Sequence, residues 1–160
     1  MQGQPEHSGG CQCGAVRFEV RGELKDSSIC HCRMCQKAVG AYYAPLVSVR
    51  GAQFSWTRGQ PSHFQSSNLV RRGFCNQCGT PLTYDAPDGM AIAAGAFDQP
   101  ARLPPVRQYG MEARLPFIDA LGALPSSRTE QDVESLEFLA RLVSHQHPDH
   151  DTPHWPPQSR

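Results

Sequence analysis

The stretch "CHCRMC" places Cys30, Cys32 and Cys35 within six positions, "CQC" carries Cys11 and Cys13, and "CNQC" carries Cys75 and Cys78. Together these are all seven cysteines of the chain. Cysteine thiolate is a soft donor that suits zinc, and a tetrahedron of sulfur ligands is a common structural site. A C-x-x-C turn lets two sulfurs converge while backbone amides point at them, and Gly79 after Cys78 supplies the freedom at positive φ that such a turn needs. In C-x-C, extended residues two apart face the same side. Cys11 therefore faces with Cys13 and Cys30 with Cys32, while His31 faces away. An odd count cannot pair fully into disulfides, and the close spacings suit ligation better than bridging.

Seven sulfurs divide into four and three. Cys11, Cys13, Cys75 and Cys78 are expected to form one closed, structural site that ties the N-terminal turn to a segment far along the chain. Cys30, Cys32 and Cys35 then form a second site with one corner open, which is the pattern of a catalytic zinc. A thiol, as soft as the ligands already present, is the expected visitor to that corner. Two other arrangements are open. Cys32 and Cys35 could join Cys75 and Cys78 in a zinc ribbon, leaving Cys11, Cys13 and Cys30 spare. Alternatively, His31 or His63 could close the second site.

The remaining reactive residue types have plainer readings. His145, His147, His150 and His154 lie in a Pro-rich tail and read as solvated. Phe54, Trp56 and Phe64 read as core or pocket wall, and Asp85 and Asp88 flank a turn. Tyr84 and His63 are candidates for acid–base work.

The cysteines must be positioned by short extended elements. "AVRFEVRG" alternates Val16, Phe18 and Val20 against Arg17, Glu19 and Arg21, the pattern of a half-buried strand. Strands are also expected over 41–49 and 51–59, around a turn at 75–84, and over 89–97, with a Pro-rich cover over 98–128. A helix is expected over about 129–144, where Thr129 and Asp132 stand in capping positions and Val133, Leu136, Leu139 and Val143 recur at helical spacing. The last stretch, 145–160, is Pro- and His-rich and reads as disordered. The fold expected is mainly antiparallel β with a late helix.

Composition narrows the function. The chain has 160 residues, the length of one domain, with 14 Gly and 14 Pro. Its 15 basic and 15 acidic residues cancel, which argues against a nucleic-acid or anionic-membrane partner. No apolar run approaches a membrane span and the start lacks a signal-peptide core, so a cytoplasmic protein is expected.

In order, G-G-C-x-C-G (9–14), C-H-C-x-x-C-Q-K (30–37) and F-C-x-x-C-G-T (74–80) resemble the glutathione-dependent formaldehyde-activating enzyme family, shared with centromere protein V. "AAGAFDQPARLPP" and "EARLPF" resemble the closing segment of that family, whereas Gln108 and Phe117 stand where its pattern commonly has His and Trp. The resemblance divides the chain into a short disordered start (1–7), a zinc-binding domain (8–127), the helix (128–144) and the tail (145–160). It implies a β-tent fold and two Zn2+ sites, with ligands on the same four-plus-three division. The three-cysteine site is then catalytic in type and readily emptied. The chemistry implied is that of a carbon–sulfur lyase or synthase, in which glutathione and formaldehyde, or a related small thiol and aldehyde, combine reversibly as S-hydroxymethylglutathione. A non-catalytic zinc-stabilised module that binds a protein partner is the alternative. Methionine sulfoxide reduction ranks below both, since it needs a cysteine outside the metal set.

Overall fold

The computed structural model describes residues 4–156, and its strands are short. In chain order they are β1 (Glu6–Gly10), β2 (Arg17–Arg21), β3 (Ser27–Cys30), β4 (Ala44–Ser48), β5 (Gln53–Arg58), β6 (Ser62–Gln65), β7 (Arg71–Phe74), β8 (Pro81–Ala86), β9 (Gly89–Ala93) and β10 (Arg107–Tyr109). Two α-helices accompany them, α1 (Arg33–Val39) and α2 (Leu136–Arg141), with several 3-10 turns. The small sheet is ordered β1-β2-β5 and the large one β10-β3-β4-β9-β8-β7-β6. Every pairing is antiparallel except β10 with β3, a parallel contact that the sequence pattern did not signal.

The core lies where the two sheets meet. On β2, Phe18 and Val20 are fully buried, and Val16 just before it is nearly so, as the alternation predicts. Register sets Trp56 opposite Phe18 and Phe54 opposite Val20. The Phe18 ring then packs against Phe54, Trp56 and Phe97 at centroid distances of 5.8, 6.2 and 5.1 Å. From the large sheet, Val47 and Ile92 complete this core.

Register across the large sheet defines its two faces. Val47 pairs with Ile92, Ile92 with Thr83, and Thr83 with Gly73, a row of buried residues. One position along, Ser48 pairs with Ala91, Ala91 with Tyr84, Tyr84 with Arg72, and Arg72 with Phe64. Because neighbouring residues on a strand point to opposite faces, this second row faces away from the core and forms the floor of a cleft.

Three expectations need correction. The late helix is present but shorter, with a 3-10 turn at Thr129–Gln131 preceding α2. Val133, Leu136 and Val143, whose spacing suggested a long helix, are exposed. Without a surface to bury them, a helix under about 12–15 residues is marginal. The cap also differs: the Gln131 side chain accepts from the Arg128 amide. At the other end of the chain, β1 already starts at Glu6, and the Gly22 amide donates to Pro5 O at 2.9 Å, so order begins before residue 8. Residues 1–3 lie outside the described residues.

The tail is the third correction. The His147 amide donates to Gln12 O at 2.7 Å, the Trp155 indole N–H donates to Cys13 O at 2.7 Å, and Arg58 donates to Thr152 O. His147 is 4% exposed, not solvated. Its ring lies against Gly14, which sits at φ +78° and has no side chain to obstruct it. Arg17, expected on the solvent face of β2, is buried beneath this strap and paired with Asp98 and Asp151. The tail folds because its polar side chains meet backbone groups and an ion pair that composition cannot reveal. Residues 157–160 lie outside the described residues. Among those described, no helix is long and apolar enough to cross a membrane.

Candidate functional site

Two cysteine groups form. The sulfurs of Cys11, Cys13, Cys75 and Cys78 lie within 4.8 Å of one another, and those of Cys30, Cys32 and Cys35 do likewise. The ribbon arrangement, which would join Cys32 and Cys35 to Cys75 and Cys78, is not the one formed.

The first group is assembled by two turns. Cys11 and Cys13 follow β1, and the Val16 amide points at Cys11 Sγ at 3.3 Å. Cys75 and Cys78 form the connection between β7 and β8, closed by Gly79 N–H to Cys75 O at 2.8 Å, with the Gln77 amide 3.4 Å from Cys75 Sγ. Cys11 Sγ lies 3.6 Å from Cys13 Sγ, which lies 3.9 Å from Cys75 Sγ. A tetrahedron with zinc–sulfur distances of about 2.3 Å has edges of about 3.8 Å, whereas a disulfide needs about 2.05 Å. The donor set therefore fits zinc. Burial pushes the Cys11 thiol up to about 12 despite the Val16 amide. Burial also raises Cys78, but hydrogen bonds from the Thr80 hydroxyl and amide outweigh it and bring that thiol down to about 6.

The second group lies at the junction of β3 and α1. Cys30 ends β3, paired with Ala44 on one side and Tyr109 on the other. Cys32 caps α1, its sulfur accepting from the Cys35 amide at 3.4 Å. Burial pushes the Cys30 thiol up to about 12. At Cys32 burial acts the same way, but the Cys35 amide prevails and the pKa is lowered. Gln36 is buried and donates to both His31 O (2.7 Å) and Ala113 O (3.1 Å), fastening the segment after β10 to the site. Gly110 in that segment lies so close that a Cβ there would be 2.7 Å from the Cys32 nitrogen.

His31 does turn away from the sulfurs. It is fully buried, its Nε2 is 2.8 Å from Gln108 Oε1, and its Nδ1 has no hydrogen-bond partner. His63 sits beside Asp85, Nε2 to Oδ2 3.4 Å. Among the described residues, no imidazole nitrogen or carboxylate oxygen joins the three sulfurs within the same 4.8 Å reach.

The three cysteines instead line a cleft of about 400 Å³ with Arg72, Tyr84, Tyr109 and Arg50. Arg72 is the residue that sequence reasoning missed. It is 9% exposed, and its guanidinium donates to Cys35 Sγ at 3.3 Å and to Ser66 Oγ at 3.1 Å. Its guanidinium carbon lies 4.9 Å from the centre of the Tyr84 ring. Its hydrogen-bond partners among the described residues include no carboxylate. Alternation along β7 could have placed Arg72 on the same face as Tyr84, but not beside sulfurs from a distant segment. Tyr84 itself titrates above its ordinary value, chiefly through burial.

Residues 6–112 match the family described as glutathione-dependent formaldehyde-activating enzyme. An uncharacterized lyase of Schizosaccharomyces pombe is 27% identical over 85 residues, which are 53% of this chain and 61% of that protein. The chain thus spans less than two thirds of the length of that curated relative. A solved Rhodobacter sphaeroides protein is 25% identical and superposes with a TM-score of 0.48, covering 63% of this chain and 98% of its own. With three cysteine motifs in order and the match extending from β1 past β10, the chain belongs to the glutathione-dependent formaldehyde-activating enzyme family.

Proposed function

We propose that the protein is a carbon–sulfur lyase or synthase acting on the adduct of a small thiol with an aldehyde, glutathione and formaldehyde being the pair that the family description names. Cys11, Cys13, Cys75 and Cys78 would hold a structural zinc. Cys30, Cys32 and Cys35 would hold a catalytic one. The reading rests on one observation above all: three sulfurs converge at the wall of a cleft and, among the described residues, no fourth cysteine, histidine or carboxylate joins them.

Zinc, when bound, supplies a soft Lewis acid that favours thiolate over thiol. That matters because a free thiol of pKa about 8.5 is only ~3% ionised at pH 7. The protein's own groups handle the rest. In the synthetic direction a sulfur lone pair forms the C–S bond, the carbonyl π electrons pass to oxygen, and that oxygen takes up a proton. The lyase direction reverses each transfer. Arg72 is a fixed cation in the cleft wall and stabilises charge on the oxygen as it develops. A preorganised donor of this kind contributes about 2.7–4 kcal/mol. Tyr84, protonated at neutral pH, is the nearby candidate proton donor.

The test is spectroscopic. Glutathione added to cobalt-substituted protein should change the d–d absorption of the three-cysteine site, and the change should vanish in Cys32→Ser. No response to glutathione in correctly loaded protein overturns thiol capture.

A further inference from the structure

Next to the cysteine cleft lies a second cavity of about 440 Å³, which the reaction outlined above does not use. Its apolar lining includes Val39, Leu46, Phe64, Phe74, Leu82 and Ala93. It runs under α1 between the two cysteine groups, bordered by Phe74, which precedes Cys75, and Gly79, which follows Cys78. Met34, Leu46 and Arg72 line both spaces. Arg72, whose guanidinium touches Cys35 Sγ, therefore stands at the partition between a thiol-binding cleft and an apolar chamber.

We propose that this cavity receives an apolar substituent on the carbon that is bonded to the substrate sulfur. Its carbon partner is then an aldehyde with an alkyl or aryl group, larger than formaldehyde. The inference rests on the thiol-adduct reading given above and narrows its substrate.

Size and polarity carry the argument. A one-carbon aldehyde is little larger than a water molecule, whose share of liquid volume is about 30 Å³, so it would leave the chamber unfilled. Cavities of roughly 300–1,000 Å³ with apolar walls accommodate small organic ligands. The position also suits the chemistry. With sulfur at the cysteines, the adjoining carbon is beside Arg72, where its oxygen meets the guanidinium, and a substituent on that carbon has the apolar wall as its neighbour. Met34 is half exposed and borders both spaces. An unbranched thioether there can move aside without leaving a rigid gap. Phe64, 64% exposed at the end of the Ser48–Arg72 row, presents an aromatic side chain at the cavity wall. A ligand in the cavity would cover it.

S-alkylglutathiones are stable analogues that read the cavity without turnover. Calorimetric affinity of the zinc-loaded protein should rise from S-methyl- to S-hexylglutathione by at least tenfold, since each fully buried methylene is worth up to about fourfold, or ~0.8 kcal/mol. Ala38→Phe, on the exposed face of α1 at the cavity wall, should abolish that dependence, and kcat/KM with glutathione should be higher for hexanal than for formaldehyde in the wild type only. Equal affinities along the series, in protein whose cobalt spectrum does respond to glutathione, overturn this inference and leave the thiol reading standing. No binding of either analogue, together with an unresponsive cobalt spectrum, overturns both.

Discussion

Nη2 of Arg72 lies 3.3 Å from Sγ of Cys35, a buried contact between β7 and α1. A buried guanidinium normally has a carboxylate partner, because an uncompensated charge away from water is costly. Here the compensation falls to the sulfur cluster. Arg72→Met should therefore lower kcat about 10²–10³-fold, the usual loss for one donor to a developing oxyanion. Arg72→Lys, which keeps charge but loses the fork, should recover part of it. If the residue only supported the fold, zinc content and the cobalt response to glutathione would change together with kcat. The expected result is that both persist while kcat falls.

The two cysteine groups should respond differently to loss of one ligand. Structural zinc sites of small domains contribute apparent binding energies of order 10 kcal/mol, comparable with the total stability of a domain at about 5–15 kcal/mol. Cys78→Ser joins two distant segments less firmly and should yield protein that is unfolded or loses both metals. Cys32→Ser should remain folded with one zinc per chain and no activity. Elemental analysis beside circular dichroism measures both. Equal damage from the two substitutions would favour a purely structural pair of metals and a partner-binding module.

Arg17 and Asp98 form a buried charge pair, Nη2 to Oδ2 2.7 Å, with side chains 3% and 7% exposed. Ser8 also donates to Asp98. Arg17→Met leaves the Asp98 carboxylate buried and should cost about 3–5 kcal/mol in denaturant unfolding. Combining it with Asp98→Leu should restore much of that loss, because no charge is then stranded. A double variant as unstable as the single one would show that Arg17 acts through its second partner, Asp151.

What could be read in the residues, and what could not, follows from the range of the interaction concerned. Phe18 and Val20 were legible because strand alternation is local, and the pairing of each C-x-C and C-x-x-C is likewise fixed within a few residues. The convergence of Cys11 and Cys13 with Cys75 and Cys78 needed one further step, that sulfur ligands seek a common metal. Arg72 was not legible. Its significance arises from a helix 37 positions away, and a charged residue on a strand usually means solvent. The tail failed for the same reason. "HQHPDHDTPHWPPQSR" has the composition of a solvated segment, yet His147, Asp151, Thr152 and Trp155 each find a partner in the turn and strands around the four-cysteine group. The exposed apolar residues of 133–143 misled in the opposite direction, because helical spacing specifies a face but not a surface to receive it.

That tail should come away from the four-cysteine group in mild acid. The His147 ring donates from Nδ1 to Pro148 O at 2.8 Å, and its Nε2 lies 2.9 Å from Thr152 Oγ1 and 3.3 Å from an Arg58 nitrogen that can only donate, so the docked form is the neutral ring. Burial lowers its pKa below the ordinary 6.5; the hydrogen bond to the Pro148 carbonyl opposes this in part, nearby Arg17 and Arg58 lower it further, and Asp98 raises it least. A histidine whose folded pKa is depressed stabilises fully above its free value, and that contribution is lost as pH falls from 6.5 through the lowered value. The indole N–H of Trp155, which donates to Cys13 O, gives one of only two tryptophan side-chain NMR signals in the chain and reports docking directly. Its signal should move towards the solvent-exposed position as pH drops below about 6.5, and His147→Gln should flatten that response between pH 7 and 5.5. A signal that is constant over this range in the wild type would mean that Asp151, Thr152 and Trp155 hold the strap without help from His147.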